Sequence, residues 1–370
     1  MKLCCFFNHC PFYRFPIYSA IDKEFDAEFY FNDCIEFGPK PFDVNQLKGF
    51  KSFVHGYFTK LKKGYVVNTN ISPLFNWKYT HYILTGDPSF VANWLILIYG
   101  VLFRKKVYLW CHGINAPIKK KSWRFLMSCF YGMAEGILLY GEHAIPYMKD
   151  LGCKEERMFC IHNSLDTELQ TRLYNTELKS NIYKEHFGND NPIVIYIGRI
   201  QKRKKVDQLV KAIYLLHNEG INVNLVIVGD IMDDDSIQKC VSDYNLEEQV
   251  WFYGPSYTEE TNSLLLYNSD VCVSPGNVGL TCIHALSYGT PVISNDNFET
   301  QMPEYAAIVP DKTGDFYKEN DIADMAKVLK KWIRIDIDKR TNCRIIARNT
   351  VLKNWSVQYQ INLLKSVLFK

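Results

Sequence analysis

Short, almost continuous apolar segments recur along this chain and alternate with segments long enough to form helices. One series runs from KLCCFF (2–7) to RMFCIHNS (157–164), and a second runs from IVIYIGR (193–199) to TPVISND (290–296). Strands that are apolar along their whole length are typical of parallel sheets that helices cover on both faces. The chain is therefore expected to be an α/β protein with two doubly wound parallel sheets.

A polar stretch at about residues 163–191 separates the two series of strands. We predict an N-terminal Rossmann-like domain over residues 1–175 and a second Rossmann-like domain over residues 176–345. The remaining residues, 346–370, carry apolar side chains at helical spacing, so we expect a helix that packs back across the seam. A length of 370 residues suits two domains of ordinary size.

The composition and the N-terminus argue against secretion and against a membrane span. Twelve cysteines are scattered without a CxxC pair or zinc-ligand spacing, which indicates reduced thiols in the cytoplasm. The N-terminal segment is too short and too polar for a signal peptide. The longest apolar run, residues 90–103, falls short of the roughly 20 residues that span a bilayer. We expect a buried helix there, with Asp87 as its N-cap and proline at its first position.

The basic residues are unevenly distributed, although the net charge is only +3. Between Val44 and Ala134 the only acidic residue is Asp87, against thirteen Lys and Arg residues. Residues 117–133 combine lysines with aromatic and aliphatic side chains, a pattern that suits an anionic membrane surface. We expect peripheral contact with an anionic membrane through residues 104–124, or an anionic acceptor; an ordinary packed helix is the alternative. No nucleic-acid-binding module is recognisable, so nucleic acid is not an expected partner.

The second series of strands carries the features of a phosphate site. Strand IVIYIG is followed by Arg199 and then by Lys204, just ahead of a helical pattern. Arginine can grip phosphate oxygens with two hydrogen bonds, and lysine adds a point charge. These two residues predict an anion site, and a solvated basic loop is the alternative.

Three further strand ends are expected at the same edge of the predicted sheet. Gly229-Asp230, Gly254 and residues 276–280 (GNVGL) each follow a strand, and open α/β sheets bind ligands at the carboxyl ends of their strands. The loop 276–280 leads into a helix predicted at Thr281–Tyr288. Glycines allow the loop amides to approach a ligand closely, and the helix N-terminus attracts a phosphate. We expect these edges to converge on one crevice.

These motifs occur in a particular order: strand-GRxxxxK-helix, strand-GD, strand-FYG, then SPxxxGLxxxxALxxGxPVI, followed by Pro303-Glu304 and Thr313-Gly314. In this order they resemble the C-terminal domain of the retaining glycosyltransferases of family 4, the group 1 glycosyl transferases, over about residues 190–332. The resemblance implies the GT-B fold, in which two Rossmann-like domains face each other across a cleft. It also implies a nucleotide-sugar donor, UDP- or GDP-linked, bound by the C-terminal domain.

The donor-binding residues of the family match positions in this chain. Arg199 and Lys204 match the pair that binds the diphosphate and stabilises the leaving group. The backbone amides of Gly279 and Leu280 match the phosphate cradle. The donor-binding set further includes Val278 and Thr281 in the loop and, where the family holds the nucleobase, Tyr253 and Gly254.

The chain departs from the family at two positions. The family motif has two glutamates with seven residues between them, the first touching the donor sugar and the second the ribose; Gly276 and His284 stand there in this chain. His284 can still hydrogen-bond a ribose hydroxyl through a ring nitrogen, and a histidine packed on its helix is the alternative. Gly276 has no side chain, so the sugar contact would fall to Asn277, to a backbone amide or to no group.

The candidate residues of the N-terminal domain also follow strands. His112 and Gly113 come after VYLWC and resemble the His-Gly step of the family, where the histidine lies near the transferred sugar. The alternative for His112 is a core histidine. His9 and Arg14 follow the first strand, as acceptor-side loops do in this family.

No metal ion or other cofactor is expected. Asp233-Asp234-Asp235 looks like the metal-binding DxD motif of other glycosyltransferases. However, Arg199 and Lys204 already neutralise the diphosphate in the predicted site. We therefore interpret the three aspartates as a solvated turn.

The predicted reaction is the transfer of a sugar from a nucleoside diphosphate sugar to an acceptor hydroxyl, with retention of the anomeric configuration. The expected acceptor is a sugar or a lipid-linked sugar, in bacterial-type capsule, lipopolysaccharide or glycolipid assembly at the cytoplasmic membrane face. Two alternatives stay open. The chain could be a non-catalytic glycosyltransferase-like binding protein, because both motif glutamates are absent, or a nucleotide-sugar epimerase of the same fold.

Overall fold

A computed structural model describes residues 1–33, 40–60, 65–232 and 236–369. By its internal contacts the chain forms two compact units. The first comprises Met1–Asp166 together with Val357–Lys370, and the second comprises Thr167–Ser356. Each unit is built around one parallel sheet.

The first unit contains a seven-stranded sheet in the order β3-β2-β1-β6-β7-β8-β9, in which all neighbouring strands run parallel. A separate antiparallel hairpin, β4 with β5, lies outside this sheet. The elements in chain order are β1 (Leu3–Phe7), α1 (Phe15–Glu24), β2 (Ala27–Asn32), β3 (Phe50–Val54), β4 (Gly56–Lys60), β5 (Tyr65–Thr69), β6 (His81–Thr85), α2 (Val91–Phe103), β7 (Lys106–Cys111), α3 (Lys121–Gly132), β8 (Gly136–Leu139), α4 (Ile145–Asp150) and β9 (Met158–Cys160).

The second unit contains a six-stranded parallel sheet in the order β12-β11-β10-β13-β14-β15. The strand order reverses between β10 and β13, which is where open α/β sheets form a ligand crevice. The elements are α5 (Thr167–Tyr174), α6 (Ile182–Phe187), β10 (Ile193–Ile197), α7 (Val206–Asn218), β11 (Asn224–Val228), α8 (Ser236–Asp243), β12 (Val250–Gly254), α9 (Glu259–Tyr267), β13 (Val271–Ser274), α10 (Leu280–Ser287), β14 (Val292–Asn295), β15 (Gly314–Tyr317), α11 (Ile322–Ile333) and α12 (Ile337–Asn354).

Helices cover both faces of each sheet, so the predicted α/β class with doubly wound parallel sheets is confirmed. In the second unit, one hydrophobic cluster contains Val194 and Ile213, and another contains Ile195 and Ile283. Successive strand residues point to opposite faces, so each face of β10 packs against its own helical layer. The continuous apolar strands follow from this burial on both sides.

The last helix, α13 (Val357–Leu368), belongs to the first unit. Its Ile361 and Leu364 join the hydrophobic cluster of Leu3 and Trp110. The Ser164 hydroxyl donates to Gln360 Oε1 at 2.6 Å. The preceding helix, α12, runs across residue 345, where the sequence placed a domain limit, and lies in the second unit.

Two expectations about the segment around α2 were wrong. Helix α2 is buried on one face only. On the other side of the helix, Leu102 is 68% exposed and Val101 is 58% exposed. Asp87 does not cap α2, which begins at Val91; its Oδ1 instead accepts hydrogen bonds from the Ser89 amide at 2.9 Å and hydroxyl at 2.7 Å. Across the described residues, no helix is both long and apolar enough to cross a membrane.

Candidate functional site

At the carboxyl edge of the second sheet, the backbones of neighbouring strand ends lie in close contact. A Cβ atom on Gly229 would lie 1.9 Å from the carbonyl oxygen of Gly198, so the two strand ends can meet only because residue 229 is a glycine. The Gly198 amide donates to Val228 O at 2.9 Å, and the Gly229 amide donates to Gly254 O at 2.9 Å. The ends of β10, β11 and β12 are thus held side by side at one edge.

Two cations follow β10 at this edge. Arg199 is exposed, and no described residue forms a hydrogen bond or an ion pair with its guanidinium group. Lys204 is partly buried, and its Nζ donates to the carbonyl oxygen of Asn277 at 2.6 Å. Burial, followed by the charges of Arg203 and Arg199, lowers the pKa of Lys204 to about 8. A cation crowded by other cations and shielded from water gains from an anion beside it.

Gly276 allows the loop after β13 to pack directly on the turn that carries Lys204. A Cβ atom on residue 276 would lie 2.3 Å from Arg203 O and 2.7 Å from Lys204 Cα. Both contacts are with backbone atoms, which cannot rotate away as a flexible side chain can. The glutamate that the related motif has here therefore does not fit this loop. This is a steric reason why the chain has glycine in place of the first glutamate of the motif.

Asn277 and Val278 follow in the same loop. Among the described residues, no group hydrogen-bonds to Asn277 Oδ1, although this atom is buried. The Val278 amide is already engaged, since it donates to Gln301 Oε1 at 2.6 Å. Gly276 and Asn277 also border an open groove of about 300 Å³. A buried acceptor without a donor costs about 1 to 3 kcal/mol, so Asn277 Oδ1 is suited to a ligand hydroxyl.

Helix α10 begins directly after this loop, at Leu280, within one residue of the predicted start. The amides of Gly279 and Leu280 lie ahead of the first complete helical turn and have no backbone acceptor among the described residues. Thr281 ties the start of the helix to the sheet, because its hydroxyl donates to Ile197 O at 3.2 Å. The helix N-terminus thus presents unpaired N–H groups next to the end of β10, an arrangement that favours a phosphate.

His284 lies one turn further along α10 and contacts a carboxylate that the sequence analysis did not single out. Its Nε2 is 3.0 Å from Glu259 Oε1, and the Tyr288 hydroxyl donates to the same oxygen at 2.7 Å. Glu259 is the first residue of α9 and is separated from His284 by 25 positions in the sequence. No local pattern connects the two residues, so only the packing of α9 beside α10 reveals the pair.

The end of β12 offers mainly backbone at the expected nucleobase position. Gly254 has a φ of +86° and open space where a side chain would lie. The Tyr253 ring is turned into the partly buried aromatic layer, with its centroid 5.0 Å from that of Trp251. Tyr257, in the loop that follows, donates a hydrogen bond to Asp230 at the end of β11. The packed Tyr253 ring therefore leaves the expected nucleobase contact to the backbone or to one edge of the ring.

The candidate residues of the first unit lie at the carboxyl edge of its own sheet. Arg14 is buried, with its guanidinium carbon 5.2 Å from the Trp110 ring centroid and 4.9 Å from that of Tyr140. It donates to the Tyr140 hydroxyl at 2.5 Å. His9 bonds through Nδ1 to Asn8 Oδ1 at 2.9 Å. Desolvation, followed by the charge of Arg14, lowers the pKa of His9, so the ring is neutral at physiological pH.

His112 follows β7 at the same edge and is not a core residue, since part of the residue is in contact with solvent. Its ring centroid lies 4.6 Å from that of Tyr140. Desolvation, followed by the charges of Arg14 and His143, lowers the pKa of His112 to about 4. Gly113 has a φ of +70°, which side chains rarely adopt, and a Cβ atom there would lie 2.9 Å from Leu139 Cδ2. The His-Gly step thus places a neutral imidazole beside Arg14 and Tyr140.

The interpretation of the three aspartates at 233–235 cannot be compared with the fold, because these positions lie outside the described residues. Within the described ranges, no group of three or more His, Cys, Asp or Glu side chains is arranged to hold a metal ion. The eleven described cysteines are free thiols.

Comparison with known proteins finds similarity to glycosyl transferases in the part of the chain that carries this site. Residues 179–350, just under half of the chain, match the family model described as glycosyl transferases group 1. The chain is 26% identical over 169 residues to the capsular polysaccharide biosynthesis glycosyltransferase CapM of Staphylococcus aureus. It is also 26% identical over 125 residues to the alpha-D-kanosaminyltransferase of Streptomyces kanamyceticus.

These alignments cover 44% and 33% of this chain. They span 41% and 32% of the two relatives, so the chain matches less than half the length of each.

A solved structure extends the similarity to the whole chain. HepE of Anabaena, crystallised in complex with UDP, superposes with a TM-score of 0.74 over 100% of both chains at 14% sequence identity. A second crystal structure of HepE contains UDP-glucose and superposes with a TM-score of 0.68. At 14% sequence identity, this similarity shows a shared fold and nothing more.

Most of the second unit thus resembles the group 1 glycosyl transferase model, and the chain as a whole has the GT-B fold. The edge that carries Arg199, Lys204 and the start of α10 lies within the matched residues.

Proposed function

We propose that this protein is a retaining glycosyltransferase that moves a sugar from a nucleoside diphosphate sugar to an acceptor hydroxyl. One observation carries the proposal: Arg199, Lys204 and the unpaired amides at the start of α10 are gathered at one carboxyl edge of the second sheet. Such a set of donors fits a diphosphate. The family match and the UDP complexes of HepE support this assignment.

In the proposed reaction the bond between the anomeric carbon and the β-phosphate oxygen breaks, and negative charge builds up on the leaving nucleoside diphosphate. Arg199 and Lys204 hold the phosphate oxygens, and the amides of Gly279 and Leu280 donate to them. Each well-placed donor of this kind can lower the barrier by about 3 to 4 kcal/mol. We expect no metal ion to be needed, because these groups supply the neutralising charge.

Retention implies that the acceptor oxygen bonds to the anomeric carbon on the face that the leaving group vacates. The proton of the acceptor hydroxyl then passes to the departing phosphate oxygen, so that no protein base is required. Asn277 Oδ1 is the proposed acceptor for a hydroxyl of the donor sugar, in the role of the missing first glutamate. His112, neutral at physiological pH, is proposed to hydrogen-bond the transferred sugar, and His9 and Arg14 to line the acceptor side.

A screen of nucleotide sugars tests this function. UDP- and GDP-linked hexoses are added in the presence of EDTA, and binding and the release of free nucleoside diphosphate are measured with and without candidate acceptors. A glycosyltransferase releases the diphosphate faster when an acceptor is present. Binding without release indicates a non-catalytic relative, and conversion of the donor sugar without an acceptor indicates an epimerase. If no nucleotide sugar binds, the proposal fails.

The proposed acceptor is a lipid-linked or polysaccharide sugar at the cytoplasmic face of an anionic membrane. The apolar face of α2, which the sequence analysis missed, exposes Leu102 and Val101 close to the exposed Arg104. Helix α3 adjoins α2, since the Trp94 and Phe130 ring centroids are 4.8 Å apart. Helix α3 exposes Trp123, Phe125 and Leu126 beside the exposed lysines 119–121. Apolar side chains flanked by lysines suit the headgroup region of an anionic bilayer.

Vesicle binding checks this surface. We expect the protein to co-sediment with phosphatidylglycerol vesicles more strongly than with phosphatidylcholine vesicles. Replacement of the three lysines 119–121 by glutamine is expected to weaken binding about 100-fold, since each contributes about 1 kcal/mol near the surface. Leu102→Ser together with Phe125→Ser should also weaken it. Ile337→Ser, at an equally exposed apolar position in the second unit, is the control and should leave binding unchanged.

A further inference from the structure

Glu259 and His284 form a partly buried pair at the start of two neighbouring helices. Their side chains are 21% and 14% exposed, and the distance from His284 Nε2 to Glu259 Oε1 is 3.0 Å. Glu259 opens α9, five positions after Gly254 at the end of β12, and His284 lies in the second turn of α10. Both residues therefore lie in the first two turns of helices that follow strand ends of the proposed donor site.

The charge of Glu259 determines which nitrogen of His284 carries a hydrogen. Burial raises the pKa of the Glu259 carboxyl, but the neighbouring His284 and the hydrogen bonds from His284 and Tyr288 outweigh this effect and lower the pKa to about 2. An ionised carboxylate only accepts hydrogen bonds, so Nε2 must be the donor. In the neutral ring Nδ1 is then left as an acceptor. No described residue forms a hydrogen bond with Nδ1.

With Nδ1 free, His284 can accept a hydrogen bond, as a glutamate side chain at this position would. Residue 284 is where the related motif has its second glutamate, whose carboxylate accepts from ribose. An imidazole can accept one hydrogen bond in the same way, provided that a partner fixes the ring and its tautomer. The tautomer of a histidine is commonly set by the hydrogen bond that one of its ring nitrogens makes. Glu259 binds Nε2 and can therefore set the tautomer of His284.

We infer that Glu259 is a positioning residue that holds His284 through Nε2, so that Nδ1 accepts a hydrogen bond from a ribose hydroxyl of the bound nucleotide. The inference rests on the proposed function, because it assumes a nucleoside diphosphate at the donor site. The carboxylate missing from α10 is thus replaced by a histidine together with a carboxylate from α9. The competing interpretation is a purely structural tie between the two helices, to which the Tyr288 hydroxyl also contributes.

Ribose selectivity separates the two interpretations. Dissociation constants are measured by calorimetry for UDP, 2′-deoxy-UDP and 3′-deoxy-UDP, with the guanosine series in parallel. We expect the wild-type protein to bind the ribonucleotide about tenfold more tightly than the analogue that lacks the contacted hydroxyl. Glu259→Ala and His284→Ala should each bring this ratio close to one. A structural tie would instead weaken binding of all three nucleotides by the same factor.

Two further variants complete the test. Tyr288→Phe removes the hydrogen bond from the Tyr288 hydroxyl to Glu259 and leaves His284 in place, so the ratio should stay near tenfold even if the melting temperature falls. His284→Glu brings back a carboxylate that needs no positioning, so adding Glu259→Ala to it should restore selectivity rather than abolish it. If Glu259→Ala leaves the wild-type ratio intact, the inference is wrong while the proposed function stands. If the wild-type protein binds no nucleoside diphosphate, both are overturned.

Discussion

Replacing Arg199 with alanine is expected to lower sugar transfer by about 100- to 1,000-fold while leaving the protein folded. The size follows from the loss of one donor to the charge that develops on the leaving phosphate. The fold should tolerate the change, because the guanidinium is exposed and no described residue pairs with it. Exposed substitutions without partners usually change stability by less than about 0.5 kcal/mol. Initial rates at saturating acceptor, together with thermal unfolding, measure both effects.

Arg203→Ala is the matched control, because Arg203 is an exposed cation in the same basic segment. Its Nε already donates to Gln201 Oε1 at 3.0 Å, so its side chain is directed to a neighbour in the turn. We expect at most a threefold loss of rate for this variant. Equal losses for Arg199→Ala and Arg203→Ala would mean that general positive charge, and not a specific contact with the phosphate, is responsible.

Because Lys204 can lose its proton, the affinity of the same site for UDP is expected to depend on pH. Its pKa in the free protein is lowered to about 8, and only the protonated amine attracts a diphosphate. The terminal phosphate of UDP is largely ionised above about pH 7. The affinity for UDP is therefore expected to be nearly constant between about pH 7 and pH 7.5 and to weaken up to tenfold per pH unit as the pH rises above 8. Lys204→Arg should remove this dependence up to pH 9.5, since a guanidinium stays protonated. A pH-independent affinity in the wild-type protein would contradict the assigned role.

The second large effect concerns Gly276, where restoring the related motif should damage the site. Gly276→Glu is expected to weaken nucleoside diphosphate binding by more than tenfold and to lower the free energy of unfolding by about 1 to 3 kcal/mol. The cause is steric: the new Cβ atom would lie 2.3 Å from Arg203 O and 2.7 Å from Lys204 Cα. The loop or the turn must shift, and Lys204 moves with the turn.

Gly276→Ala distinguishes crowding from the added charge, because alanine introduces only the Cβ atom. It should cause most of the loss seen with glutamate. Gly132→Ala is the control for stability, since no atom lies within 4 Å of the position where its Cβ would be placed. Calorimetric titration with UDP and thermal unfolding give the two readouts. Tighter donor binding by Gly276→Glu would show that the loop accommodates the glutamate after all.

Much of the fold could be predicted from local sequence. Continuous apolar strands such as Ile193–Ile197 indicated parallel sheets, and the predicted loop at 276–280 indicated the start of α10 within one residue. The prediction for residues 90–103 was wrong about burial, because helix length and mean apolarity do not tell which face meets a neighbour. Val101 and Leu102 are as apolar as the buried Ile96 and Leu97 of the same helix, and they nevertheless face outward.

Taken alone, the sequence determined the α/β class, the strand ends that form the candidate site, and the placement of Arg199 and Lys204 after β10. These features depend on hydrophobic periodicity and on short-range order along the chain. The tertiary structure decided why Gly276 has to be a glycine and which carboxylate meets His284. Both answers depend on contacts between segments 25 to 73 positions apart, as in the Glu259–His284 and Lys204–Asn277 pairs. Such contacts are set by how loops and helices pack, which no local pattern records.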